Sequence, residues 1–176
     1  MVVVTTEYLS KKDIAFLKKY SRFVLNKFVR RSVQNNSRIN IKVVSPDDMR
    51  NDVDMEDLKR YRAWCTYDNV VEGKKYFSIV LNIKQISKNG KRPETRLRKM
   101  LIDLGHELVH IKQYLNNEIF DYKSGDIRFK GSYFDSSYAE NEELYYDSPW
   151  EIEAYGREQG LYAMFCSKLR EERLSK

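Results

Sequence analysis

The strongest constraint in this chain is residues 93–115, "PETRLRKMLIDLGHELVHIKQYL", where Leu97, Leu101, Leu104, Leu108, Ile111 and Leu115 recur every three or four positions. That spacing is the period of an α-helix with an apolar stripe turned to a core, and Pro93 suits the first turn of such a helix. The only two histidines of the chain, His106 and His110, ride on the same helix. Positions four apart on a helix differ by only about 40° in direction, so both rings project side by side from one face. The leucine stripe lies elsewhere around the helix, so core packing does not explain the histidines.

Two imidazoles so placed can grip one metal ion. Glu107 follows the first of them, where its carboxylate can reach a metal-held water without taking a coordination place; this is the HExxH arrangement. Asp103 and Gln113 stand three residues before and after the pair on the same side and are expected to orient the histidine rings. A catalytic zinc keeps three protein ligands and leaves its fourth position to water. No further histidine remains, and Cys65 and Cys166 are far apart with no CxxC partner, so a carboxylate is expected to complete the set. The two cysteines read as reduced thiols.

With 176 residues, 41% hydrophobic content and thirteen tyrosines, the chain has the composition of one globular domain spanning residues 1–176. Ser10 followed by Asp13 opens a first helix, with Ile14, Leu17, Phe23 or Val24, and Phe28 at helical spacing through about Val33. "SRINIKVV" alternates Ile39, Ile41 and Val43 as a half-buried strand ending at Ser45-Pro46. Residues 46–60 are acidic and irregular, with room for a short helix. "YRAWCTYD" and "KKYFSIVLNIKQI", joined by "NVVEGK", read as a hairpin, and Asn89-Gly90 marks the turn out of it. Between residues 118 and 147 the pattern breaks up, with a short strand or ribbon at "DIRFKGSYFD"; Ser148-Pro149 then opens a last helix in which Trp150 and Phe165 read as core anchors.

"HELVHIKQY" followed by "SPWEIEAYG" resembles the gluzincins, the HExxH metallopeptidases whose third ligand is a glutamate on a later "glutamate helix", and most of all the compact minigluzincins. It is also similar to short HExxH proteins encoded by bacteriophages. The resemblance implies an α+β, zincin-like fold: an N-terminal helix, a small, about three-stranded, mostly antiparallel sheet, the active-site helix and the C-terminal glutamate helix. It implies one zinc ion on His106, His110 and Glu151, since Glu151 stands three residues before Ala154 as in many relatives. Tyr155 occupies the place where those relatives carry an acidic or amide residue. Glu153, directly before Ala154, is the alternative third ligand. Ser148-x-x-Glu151 is also a capping-box pattern, which would tie the Glu151 carboxylate to backbone instead.

The expected activity is peptide-bond hydrolysis, with Glu107 as general base on zinc-bound water and a peptide or protein as substrate. The resemblance directs attention to the 75–86 strand for aligning an extended substrate by backbone pairing. Tyr133, Tyr138, Tyr145, Tyr146 and Arg157 are candidates for stabilising an oxyanion, and none is singled out. A rival reading is a zincin-like module that holds metal or a protein partner, in a phage structure or against a host, without cleaving anything. The net charge of +6, concentrated in residues 11–31 and 84–99, leaves nucleic-acid binding as a lesser alternative. No apolar run suits a signal segment or membrane span, so the expected location is cytoplasmic, with no membrane partner.

Overall fold

The computed structural model describes residues 1–45, 59–87 and 92–175. The expectations for residues 46–58 and for the Asn89-Gly90 turn lie outside the described residues. In chain order the elements are β1 (Val2–Thr5), α1 (Lys11–Phe28), α2 (Arg31–Asn35), β2 (Ser37–Val44), β3 (Ala63–Val71), β4 (Lys74–Asn82), α3 (Ile83–Ser87) and α4 (Pro93–Leu115). There follow β5 (Ile119–Asp121), β6 (Ile127–Phe129), β7 (Ser132–Phe134), α5 (Ser137–Glu140), α6 (Glu142–Asp147) and α7 (Pro149–Leu174). Among the described residues no helix is long and apolar enough to cross a membrane.

The main sheet departs from expectation. It has four strands in the order β1-β2-β4-β3, with β1–β2 and β2–β4 parallel and only β3–β4 antiparallel. The extra strand is β1, whose Val2–Thr5 backbone pairs with Ile39–Lys42. A strand followed by α1 and then by β2 is a strand-helix-strand unit, which makes parallel neighbours where a hairpin would make antiparallel ones. A separate three-stranded antiparallel sheet, β5-β6-β7, follows α4.

The hairpin runs further than its sequence suggested. Val70 and Val71 belong to β3, and the reversal is made by Glu72 and Gly73 alone, both at positive φ (50° and 72°), as a two-residue turn of a twisted hairpin requires. At the other end β4 stops at Asn82, whose side-chain oxygen accepts from the backbone N–H groups of Lys84 and Gln85 and so starts α3. The strand expected over 75–86 is therefore shorter, and it lies inside the sheet between β2 and β3. The edge strand on this side is β3.

α4 runs through the middle of the molecule, packed against α7 and α1 as well as β3 and β4. Its leucine stripe does face the core: Leu104, Leu108 and Ile111 are fully buried, each contributing about 1.5–3 kcal/mol. The burial does not end with the stripe, because every residue from Met100 to Gln113 is buried. At Gly105 a Cβ would stand 2.5 Å from the hydroxyl of fully buried Tyr20, so the bare backbone is what lets α1 approach α4 here. Tyr20 and Phe23 in turn pack on Phe165 of α7, with ring centroids 5.0 and 5.5 Å away. Trp150 anchors the start of α7 against Phe129, Phe134 and Tyr138, tying the small sheet to the helices.

Candidate metal centre

Burial of the Met100–Gln113 stretch of α4 makes its polar residues expensive unless each is partnered. Asp103, His106, Glu107, His110, Lys112 and Gln113 are all buried, at 9% exposure or less. Their partners define the site. The His106 and His110 Nε2 atoms are 3.1 Å apart. Glu151, only 1% exposed, lays one carboxylate oxygen 3.2 Å from His106 Nε2 and the other 3.1 Å from His110 Nε2. The three residues form a buried group that could hold one metal ion.

The spacing suits that use. Tetrahedral ligands about 2.0–2.1 Å from a zinc ion are separated by about 3.3 Å. The two Nε2 atoms, 3.1 Å apart, are close to one such edge, and the Glu151 carboxylate faces them with a different oxygen at each, 3.2 Å from His106 Nε2 and 3.1 Å from His110 Nε2. Two imidazoles with one carboxylate are also a donor set that zinc and several other first-row ions accept. Glu151 lies in the first turn of α7, where the N-terminal end of the helix favours a negative charge. The capping-box alternative is not realised: the Ser148 side chain makes no cap bond, and its buried hydroxyl has no hydrogen-bond partner among the described residues.

Each ring is also approached from behind. His110 Nδ1 lies 3.1 Å from Gln113 Oε1, as expected from spacing. Asp103 does not serve His106; it pairs with Arg62 at 2.9 Å, and burial lifts its carboxyl to about 6 although Arg62 opposes the rise. The carboxylate behind His106 is Glu158, 3.3 Å from Nδ1. Tyr155 packs edge-on against the His106 ring at 4.4 Å between centroids. Glu151, Tyr155 and Glu158 stand at i, i+4 and i+7 on α7, one helical face closing over one histidine. That spacing was a readable signal for Glu158, obscured because the segment is crowded with charged residues.

Glu153, the alternative ligand, points elsewhere. Its carboxylate meets Lys112 Nζ at 2.9 Å, Arg157 Nε at 3.0 Å, Lys130 Nζ at 3.1 Å and Gln113 Nε2 at 3.3 Å. Burial alone would raise its pKa, but Lys112 and Lys130 prevail and hold it down to about 2.

The electrostatics of the triad follow from burial and pairing. Desolvation would lower the His106 pKa, yet hydrogen bonding to Glu151 and Glu158 outweighs it and raises the ring to about 10. Glu151 is likewise opposed by burial but held well below the usual carboxylate range by His106 and His110, and Tyr145 adds a hydrogen bond. Glu107 is pushed up, chiefly by burial, with the two histidines opposing. Its carboxylate is hydrogen-bonded to the Cys65 thiol, whose own pKa burial and Glu107 raise. Cys65 comes from β3, and no spacing in the sequence pointed to it.

A cleft of about 780 Å³ opens over the triad, walled by Tyr61–Cys65 leading into β3 on one side and by α6 and the first turns of α7 on the other. Of the five oxyanion candidates, Tyr145 and Tyr146 line this cleft. Tyr133 is 64% exposed on the small sheet, Tyr138 packs on Trp150, and Arg157 is engaged with Glu153 and the Phe28 ring. No family model, curated protein or solved structure matches this chain.

Proposed function

We propose that the protein is a small zinc-dependent metallopeptidase of gluzincin type, with His106, His110 and Glu151 as ligands and Glu107 as general base. The observation that carries this reading is the convergence of two imidazoles and a late carboxylate, all buried, at the floor of an open cleft. A protein that needed these groups only for packing would gain from apolar residues in their place.

A bound zinc ion supplies Lewis acidity, making water a strong nucleophile near neutral pH and polarising a peptide carbonyl. The remaining steps belong to the chain. Glu107 is next to His106 on the same helix turn and lines the cleft, so its carboxylate receives the proton of the attacking water and returns it to the leaving amine. Its raised pKa suits it to hold that proton in between. Tyr145 steadies Glu151 through its hydroxyl. Among the described residues β3 is an edge strand beside the cleft, and an extended peptide aligns on it by strand addition, the role the resemblance directed to residues 75–86.

The test is metal content and peptide-library cleavage for the wild type and Glu107→Gln. The wild type is expected to bind zinc and cleave; Glu107→Gln is expected to bind zinc equally and lose cleavage. Cleavage retained by Glu107→Gln would refute the assignment of the base. Zinc uptake without cleavage of any peptide by the wild type would favour the non-catalytic metal-holding module.

A further inference from the structure

We propose that Glu153 is a positioning residue of the metal centre, acting on His110 through the side-chain amide of Gln113. This rests on the reading of His106, His110 and Glu151 as metal ligands. A primary amide has one acceptor oxygen and one nitrogen with two hydrogens to donate. Gln113 uses all of them inside the protein: Nε2 donates to the Trp150 carbonyl at 3.0 Å and to Glu153 Oε2 at 3.3 Å, and Oε1 faces His110 Nδ1 at 3.1 Å. Flipping the amide would turn its oxygen onto a carbonyl and a carboxylate, two acceptors that cannot donate to it. The orientation of Gln113 is therefore dictated by Trp150 and Glu153. With Oε1 as the only partner at that nitrogen among the described residues, His110 carries its proton on Nδ1. The lone pair is left on Nε2, 3.1 Å from both His106 Nε2 and Glu151 Oε1, where a metal ligand needs it.

The Glu153 carboxylate is fixed in its turn. Oε1 accepts from Lys112 Nζ and Arg157 Nε, and Oε2 from Lys130 Nζ besides Gln113. Lys112 belongs to α4, Lys130 to the turn between β6 and β7, and Arg157 to α7. Three separate parts of the fold thus hold one carboxylate, whose fourth contact is the amide that orients a ligand. The two histidines are served differently: His106 faces a carboxylate directly, Glu158, whereas His110 faces a neutral amide with its carboxylate one step further out.

The experiment compares zinc affinity, by chelator competition, with urea stability in four variants. Glu153→Leu removes the acceptor and the ion pairs. Glu153→Gln removes the ion pairs but keeps an oxygen for Gln113. Gln113→Leu removes the amide, and the double variant Gln113→Leu/Glu153→Leu removes both. Glu153→Leu and Gln113→Leu are each expected to weaken zinc binding by roughly 10–100-fold, the range for losing a partner of a ligand. Glu153→Gln should bind zinc close to wild type while sharing the stability loss of Glu153→Leu. The double variant should bind no more weakly than Gln113→Leu alone, because Glu153 acts only through the amide.

A Glu153→Leu protein that folds and binds zinc as wild type does, or losses that multiply in the double variant, would overturn the proposal. Should Glu153→Leu fail to fold, nitrogen-15 NMR of the metal-free wild type decides, because a zinc ion on Nε2 would by itself exclude a proton there. A proton on His110 Nδ1 supports the proposal, and a proton on Nε2 overturns it. A wild type that takes up no zinc would remove the metal reading itself, an outcome separate from any difference among the variants.

Discussion

Replacing Glu151 by alanine takes away one of the three converging donors and leaves both imidazoles on α4 untouched. Structural zinc held by four ligands is worth about 10–16 kcal/mol, or roughly 3 kcal/mol per ligand, so losing one ligand weakens binding on the order of 100-fold. At a zinc concentration about 100 times the wild-type Kd, binding to the native state adds about 2.7 kcal/mol of stability. In a chain of this size each kcal/mol moves Tm by about 2–4 °C, so zinc should raise the wild-type Tm by about 5–11 °C. For Glu151→Ala at the same zinc concentration the gain falls to about 0.4 kcal/mol, and the rise to about 1–2 °C. The assay is thermal unfolding of each protein with zinc and with chelator. Each variant is compared with itself, so any change in metal-free stability cancels. Glu142→Ala, which removes an exposed acid of the cleft rim 3.8 Å from Arg60, serves as control and should keep the full rise. A Glu151→Ala protein that keeps the full rise would refute Glu151 as a ligand.

Three further outcomes follow from the same structure. In the metal-free protein, the lowered pKa of Glu151 gives stability present above its ordinary value of 4.5 and lost as pH falls. The raised pKa of His106 gives stability present below its ordinary 6.5 and lost as pH climbs through about 10, so the pair contributes most between 4.5 and 6.5. Urea midpoints across pH in chelator check this, and a midpoint flat with pH would contradict it. Zinc must displace the His106 proton, so titration calorimetry below pH 10 in buffers of different ionisation enthalpy should show proton release. Gly105→Ala would bring a Cβ to 2.5 Å from buried Tyr20 Oη and should cost about 1–3 kcal/mol, read by urea denaturation; an unchanged midpoint would show that α1 can give way.

The parts that the sequence disclosed are those governed by local periodicity. The 3.6-residue repeat and the placing of His106 and His110 on α4 could be read because a helix carries its own geometry. The same holds for the start of α1, where the Ser10 hydroxyl accepts from the Asp13 N–H. What depended on strand order was not visible: "VVVT" has no alternation to mark it, and it becomes β1 only by pairing with β2. Without β1 the strand-helix-strand unit stayed hidden, so the antiparallel majority implied by the resemblance fails in the main sheet, although β5-β6-β7 is a three-stranded antiparallel sheet. In the site, Gln113 was found because it shares a helix with its histidine. Asp103 shares it too, but Arg62 from across the cleft claims its carboxylate, and no spacing within α4 could have told of that competitor. Glu158 and Cys65 reach the site only through the crossing of α4 with α7 and β3, a relation between elements distant in sequence.

The most direct measurement is X-ray absorption at the zinc edge of the loaded wild type, together with its metal content. The expected result is one zinc per chain with two nitrogens and one protein oxygen at about 2.0–2.1 Å and no sulfur. A sulfur neighbour at about 2.3 Å, which would bring in Cys65, or substoichiometric zinc despite excess metal would contradict the assigned centre.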